Sequence, residues 1–322
     1  MADVKFLEEG LENVFLKEIQ NLGYQFIPSQ EIVRSNYKMP IAEEILKDSL
    51  VQINPSVSLD VIERAIYQIQ HIDAGLLESR NERFFNYLQN GVEVSHYEQG
   101  KQKTTRVHLV DYENIDENDF VVTNQYTMVG KEQKRPDIVL FLNGLPIIVI
   151  ELKSASTIHA DISNAYRQIK NYQHDIEELF VYNAFNIISD FTYTKVGTIT
   201  SNESWYKEWK TTDGNYESTR FADYSTLLEG ILQKDRLLDI LKNFILFEHI
   251  EGSTVKIMGQ YHQYFAVHKA VQSTLQAIED GDGRGGVFWH TQGERVIIVM
   301  GAVYVIKSKV SGTLTKYISC IA

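Results

Sequence analysis

Cysteine is nearly absent: Cys320 is the single thiol among 322 residues. One cysteine excludes an internal disulfide framework and a cysteine-rich zinc site, and it fits a reducing compartment. Long apolar runs are also lacking. Leu145 to Ile150 falls far short of the roughly 20 residues a membrane helix requires, and the charged start MADVKFLEEG is unlike a secretory leader. These absences predict a soluble cytoplasmic protein with no membrane association. An excess of positive charge is missing too, since 31 Lys and Arg against 43 Asp and Glu give a net charge of −12. Affinity for nucleic acid rests mainly on cations that neutralise phosphates. A chain so acidic is expected to hold DNA only through a local basic patch or a partner.

Apolar material is present in quantity. At 43% hydrophobic, the chain fills one large domain or two of ordinary size. Phe6 to Leu22 repeats apolar residues at helical spacing and stops at Gly23. Ile41 to Leu50 and Leu59 to Gln70 predict two more amphipathic helices, separated by Asn54-Pro55, with Ser58 capping the second. From Gly91 the period changes to two, in Val92 to Tyr97 and Thr105 to Val110, as in half-buried strands. Phe120 to Met128 predicts another strand, Ile158 to Phe180 a long helix, and Val181 to Ser189 with Phe191 to Gly197 two further strands. After the polar stretch SNESWYKEWKTTDGNYES, Leu227 to Phe247 and Ile257 to Ile278 predict two helices with a short break between them. The order predicts an α/β fold: a mixed central sheet flanked by helices, with a helical C-terminal extension.

The chemistry concentrates between Arg135 and Ser156. Two apolar β-type runs flank Asn143-Gly144, a strong hairpin signal. Asp137 stands at the mouth of the first run and Glu151-Leu152-Lys153 at the end of the second. Register decides whether the acids meet. A plain two-residue loop sets Leu142 against Leu145 and Asp137 against Ile150, sending Glu151 and Lys153 to the other face. A three-residue loop, or a bulge in either strand, sets Asp137 against Glu151 with Cβ atoms about 5 Å apart and Lys153 on the same face. The expected arrangement is one of these two.

So placed, both carboxylates and the Leu152 carbonyl would suit Mg²⁺, which takes oxygen ligands at about 2.0 to 2.1 Å and keeps several waters. The ion would acidify a bound water and offset charge on phosphorus. Lys153 would orient that water and stabilise the developing negative charge. Gln168 and Tyr172 lie four apart, hence on one face of the helix that follows. Each group alone has a plainer reading: solvated residues at hairpin ends, a buried tyrosine, an exposed amide. Asp137, Glu151 and Lys153 together at the ends of adjacent strands favour the metal site, and Gln168 with Tyr172 on the next helix adds to it. His159 and His174 show no metal-ligand spacing and are expected on a helix surface.

Arg135-Pro136-Asp137 with Glu151-Leu152-Lys153 resembles the PD-(D/E)xK motif, and Gln168 to Tyr172 resembles the Q-x3-Y motif of RecB-like nucleases. Together they resemble the N-terminal nuclease domain of the R (restriction and motor) subunit of type I restriction-modification enzymes, over residues up to about 293. The resemblance implies a restriction-endonuclease-like fold and Mg²⁺-dependent endonuclease cleavage of double-stranded DNA. It puts Asp137, Glu151, Lys153, Gln168 and Tyr172 in the catalytic set, with Asp137, Glu151 and the Leu152 carbonyl on the metal. It also implies partner methyltransferase and specificity subunits that read the DNA sequence, which would account for the acidic balance of this chain.

Gln260 to Val267 and Gly285 to Gly293 resemble the start of that subunit's translocase domain. There the family pattern calls for Ser-Gly-Lys-Ser, whose backbone and lysine cradle ATP phosphates. This chain has Glu294-Arg295-Val296-Ile297-Ile298 instead, so ATP, expected of the full-length family, is not expected to be hydrolysed here. The expected organisation is a nuclease domain over 1–250, the start of a truncated translocase domain over 251–293, and an atypical tail over 294–322 left by truncation or frameshift. Glu8 and Glu12 on the first helix are candidates for an upstream acid, helix-surface charge being the plainer role. Two other functions stay open: a free-standing RecB-like repair or defence nuclease, and a non-catalytic fragment that docks onto a methyltransferase.

Overall fold

The computed structural model describes residues 2–72, 75–153, 160–190, 193–215 and 224–281, without the side chains of residues 2–9 and 160–161. Glu8, His159, Gly285 to Gly293 and the tail over 294–322 therefore lie outside the described side chains or residues. In chain order the elements are α1 (Ala2–Asn21), β1 (Gln25–Phe26), α2 (Glu43–Ile53), α3 (Leu59–Gln70), α4 (Leu77–Asn90), β2 (Val92–Glu98), β3 (Lys101–Val107), β4 (Phe120–Asn124), β5 (Met128–Val129), β6 (Gln133–Lys134), β7 (Ile138–Leu142), β8 (Leu145–Leu152), α5 (Ala160–Asp175), α6 (Glu177–Val181), β9 (Phe185–Ser189), β10 (Thr194–Gly197), α7 (Tyr224–Leu232), α8 (Lys234–Asn243), β11 (Ile245–Ile250), β12 (Ser253–Met258) and α9 (Tyr261–Asp280). The chain divides into two compact units, Met1–Met258 and Gly259–Ala322.

Strands β7 and β8 are buried at every position. Apolar runs of this kind belong where both faces of a sheet are covered, and the two strands occupy the middle of a six-stranded sheet ordered β1-β4-β7-β8-β9-β10. The sheet is mixed: β1 pairs β4 and β8 pairs β9 in parallel, and the remaining neighbours run antiparallel. Helix α5 covers part of one face through Ile162, Ala165, Ile169 and Tyr172, spaced three and four apart, which cluster with Val149 and Ile188. The predicted α/β architecture is the one observed. No described helix is long and apolar enough to cross a membrane.

Two expected helices differ. The predicted run from Ile158 breaks at Ile176 into α5 and α6, with Ile176 at φ −130°, outside helical values. Leu227 to Phe247 is two helices, α7 and α8, followed by a strand, and the short break after it is the hairpin β11–β12. Glu251 and Gly252 turn that hairpin at φ 50° and 81°, the pair of positive values that a tight hairpin turn demands. β12 carries Lys256, 2% exposed, whose Nζ donates to Asn81 Oδ1 at 2.9 Å and to the Asn183 carbonyl at 2.6 Å. It also lies 3.7 Å from the centre of the Phe85 ring. Among the described residues these contacts carry no carboxylate, and burial depresses its pKa well below the usual ammonium range. In the second unit, α9 begins with a capping box in which Gln260 and Gln263 exchange hydrogen bonds.

The β7–β8 turn fixes the site and is itself fixed by packing. Asn143 and Gly144 take φ 51° and 76°, and Asn143 is wholly buried. Its side chain donates to the Leu109 carbonyl and to Asn118 Oδ1, and it accepts from the Asp119 N–H. A Cβ on Gly144 would meet Leu46 N at 2.5 Å and Ala42 O at 2.6 Å. Gly144→Ala is therefore expected to cost about 2 to 4 kcal/mol in chemical denaturation, through both the left-handed backbone and the clash. Gly100 has the same φ of 76° with nothing within 4 Å of its would-be Cβ, so Gly100→Ala is expected to cost about 1 kcal/mol. Equal costs at the two glycines would show that close packing against α2 contributes nothing.

Candidate active site

The loop at Asn143-Gly144 holds two residues, with Leu142 paired to Leu145. In a regular ladder that register would separate the acids. It does not, because pairing shifts between Leu140 and Phe141: Phe141 faces Pro146 while Leu140 faces Ile148. Ile147 is thus the extra residue of a bulge in β8. Beyond it Ile138 pairs with Ile150, and one step outward Asp137 stands across from Glu151. Of the two devices that would bring the acids together, the structure uses the bulge and not the longer loop.

Asp137 is anchored by its Oδ2, which accepts the Leu152 N–H at 2.8 Å. Its Oδ1 faces the Gln125 amide at 3.4 Å. Glu151 is 1% exposed. Its Oε1 pairs with Lys153 Nζ at 2.5 Å, and its Oε2 is buried with no hydrogen-bond partner among the described residues. Burial, with the negative charge of Asp137 added, drives the Glu151 carboxyl up to about 8, while the Lys153 ammonium and the Tyr172 hydroxyl pull the other way. A buried oxygen left unpaired is costly, and a cation bound there would relieve it.

Helix α5 brings the remaining predicted pair to the same place. Tyr172 is buried and its hydroxyl donates to the Arg135 carbonyl at 3.2 Å, two residues ahead of Asp137. Burial pushes the phenol upward, the charges of Glu151 and Asp137 add to this, and the Gln168 amide beside the hydroxyl opposes it. Gln168 is half-buried, one turn before Tyr172. All five side chains singled out from the sequence are thus gathered around one strand end. Lys131 and Arg135 are exposed on the segment that leads into Asp137.

Three residues joined to this cluster carried little signal in the sequence. Glu12 on α1 accepts from Asn124 Nδ2 at 2.5 Å with Oε1, and from Gln125 Nε2 at 2.8 Å with Oε2. Glu12 therefore reaches the site, tied by amides at the end of β4. Asn124 and Gln125 were not singled out, because adjacent amides mark neither a period nor a motif.

The donor set fits a hard divalent cation. Among the described residues no three or more His, Cys, Asp or Glu side chains gather as a metal cluster, so a cation here would rest on Asp137, Glu151, the Leu152 carbonyl and water. Magnesium, which retains several waters and needs one or two carboxylates, accepts such a set. Among the described residues a thiophilic or imidazole-seeking metal finds no cluster of ligands of its kind.

The sequence profile described as "Type I restriction enzyme R protein N terminus" matches residues 5–205. The type I restriction enzyme HindI endonuclease subunit of Haemophilus influenzae is 35% identical over 307 residues, covering 91% of this chain and 29% of the relative. The type I restriction enzyme EcoprrI endonuclease subunit of Escherichia coli is 24% identical over 79% of this chain and 78% of its own length. A Staphylococcus aureus relative, the type I restriction enzyme SauCOLORF180P endonuclease subunit, is 27% identical over 58% of the chain and 19% of its own length. The chain thus spans under a third of the Haemophilus relative.

Proposed function

The chain belongs to the type I restriction enzyme R protein family through its N-terminal region, and from that premise we propose that it is the nuclease part of such a subunit, cleaving double-stranded DNA with Mg²⁺ in the cytoplasm. The observation that supports this best is the bulge-set register, which puts Asp137 across from Glu151 beside Lys153. Asp137, Glu151 and the Leu152 carbonyl would hold the ion, and the ion, when bound, would acidify a water and offset charge on the phosphate. Lys153 would release Glu151 to the ion and turn its ammonium toward the attacking water and the phosphate oxygens. Tyr172 and Gln168 hold the Arg135 strap against α5 and so keep Asp137 in place. Lys131 and Arg135 would meet the DNA backbone, and methyltransferase and specificity subunits would supply sequence recognition.

In this proposal residues 1–250 form the nuclease domain and 251–293 the start of a translocase domain, with 294–322 an atypical tail. Glu294-Arg295 where the family has its phosphate-cradling Ser-Gly-Lys-Ser would leave this chain without ATP hydrolysis. Calorimetric titration with Mg²⁺ tests the site directly. Wild type is expected to bind in the micromolar-to-millimolar range, roughly the strength of weak two-carboxylate sites, and Asp137→Ala to give no binding heat. An unchanged heat in Asp137→Ala would leave no cation site at this hairpin and would favour a non-catalytic docking fragment.

A further inference from the structure

We propose that Gln125 is a positioning residue for the Asp137–Glu151 cation site, fastening helix α1 to it through Glu12; this rests on the cation reading above. Gln125 follows β4 with φ 48°, a left-handed backbone in a residue that is not glycine. Such a conformation is sparsely populated and persists where its surroundings hold it. The backbone alone accounts for the end of the ladder: the Gln125 N–H donates to the Asp137 carbonyl at 2.9 Å, and Ser29 Oγ reaches the Gln125 carbonyl at 3.4 Å. The side chain is not needed for that closure. It does something else, placing one amide nitrogen 2.8 Å from Glu12 Oε2 and 3.4 Å from Asp137 Oδ1.

The consequence for Asp137 is orientational. With Oδ2 held by the Leu152 N–H and Oδ1 facing an amide donor, the carboxylate is kept from rotating, and the second lone pair of each oxygen keeps a fixed direction. The same amide stands between two negative charges that would otherwise repel. Asn124 takes the other Glu12 oxygen, so α1 meets the site through a carboxylate whose two oxygens are both held by amides. Groups that orient a ligand from behind typically change metal affinity by about 10- to 100-fold when removed.

The experiment is calorimetric titration of the full chain with Mg²⁺ and with Mn²⁺, alongside thermal melting. Gln125→Asn keeps an amide and tolerates the left-handed backbone, yet is too short to reach Glu12. It is expected to melt at or above the wild-type temperature and to bind the cation about tenfold more weakly. Gln125→Met, which keeps the length without a donor, is expected to show the same loss. Glu12→Gln combined with Gln125→Met should add little to Gln125→Met alone, because the two act through one contact. Wild-type-like affinity in both Gln125 variants, with Asp137→Ala silent, would overturn the positioning role and leave the cation site standing. Wild-type-like heat in Asp137→Ala would remove the site and this role together.

Discussion

Lys153→Ala is expected to slow Mg²⁺-dependent nicking of plasmid DNA by about a thousandfold, with methyltransferase and specificity subunits supplied, while Mg²⁺ affinity at pH 9 stays within a few-fold of wild type. A single preorganised donor aimed at developing oxyanion charge is worth about 10² to 10³ in rate, and the ammonium would also orient the water. Affinity is expected to hold because removing Lys153 has two opposed effects on the ion. It withdraws a neighbouring positive charge, which favours cation binding. It also withdraws the partner that keeps Glu151 ionised, the Nζ to Oε1 pair at 2.5 Å, which disfavours it. Removing Lys153 lifts the Glu151 carboxyl above the value of about 8 that it has with the ammonium beside it, and working at pH 9 reduces the second effect by favouring the ionised form. Loss of rate and affinity in equal measure would reduce Lys153 to a counter-ion for Glu151 with no part in the chemical step. Lys153→Arg keeps the charge while spreading it over a planar fork, and it should retain affinity with only part of the rate.

The predicted acids were legible because their spacing is local: both motifs lie on consecutive residues, and the strands that carry them are apolar throughout. Asn143-Gly144 announced the turn through the positive φ values those residue types tolerate. The position of the bulge was only partly legible. Pro146 has no N–H to give the ladder and inside a central strand is itself a bulge signal, but Ile147-Ile148-Val149-Ile150 are alike in kind, so pairing with β7 decides which residue is extra. Only the outer ends of the hairpin β11–β12 fall inside the two predicted helices, because Ile245 to Phe247 continues the apolar content of α8; its middle is the predicted break. The Glu251-Gly252 turn was the available signal. Glu12 and Gln125 meet across 113 positions of sequence, and no periodicity relates a helix surface to a strand end at that distance. Tertiary packing, not local preference, writes that part of the site.

Apparent Mg²⁺ affinity is expected to rise about tenfold per pH unit between about pH 6 and pH 8, and to level off above. A cation held by Glu151 would need it as carboxylate, and below its folded pKa of about 8 a proton would have to leave for each ion bound. The same shift acts on folding with the opposite sign. Glu151 is raised in the fold above its unfolded value of about 4.3, so between these values the metal-free folded chain holds a proton that the unfolded chain has lost. That contribution to stability is complete below the unfolded pKa and declines as pH rises toward 8, by about 1.4 kcal/mol per pH unit at most. Added Mg²⁺ should restore what the proton gave, through binding to the folded state alone. Glu151→Gln should abolish both slopes, raising metal-free stability at pH 8 and removing the stabilisation by Mg²⁺. A Mg²⁺ affinity that is flat from pH 6 to 8 in wild type would place the ion elsewhere than on Glu151, because no cation can share a buried oxygen pair with a proton it has not displaced.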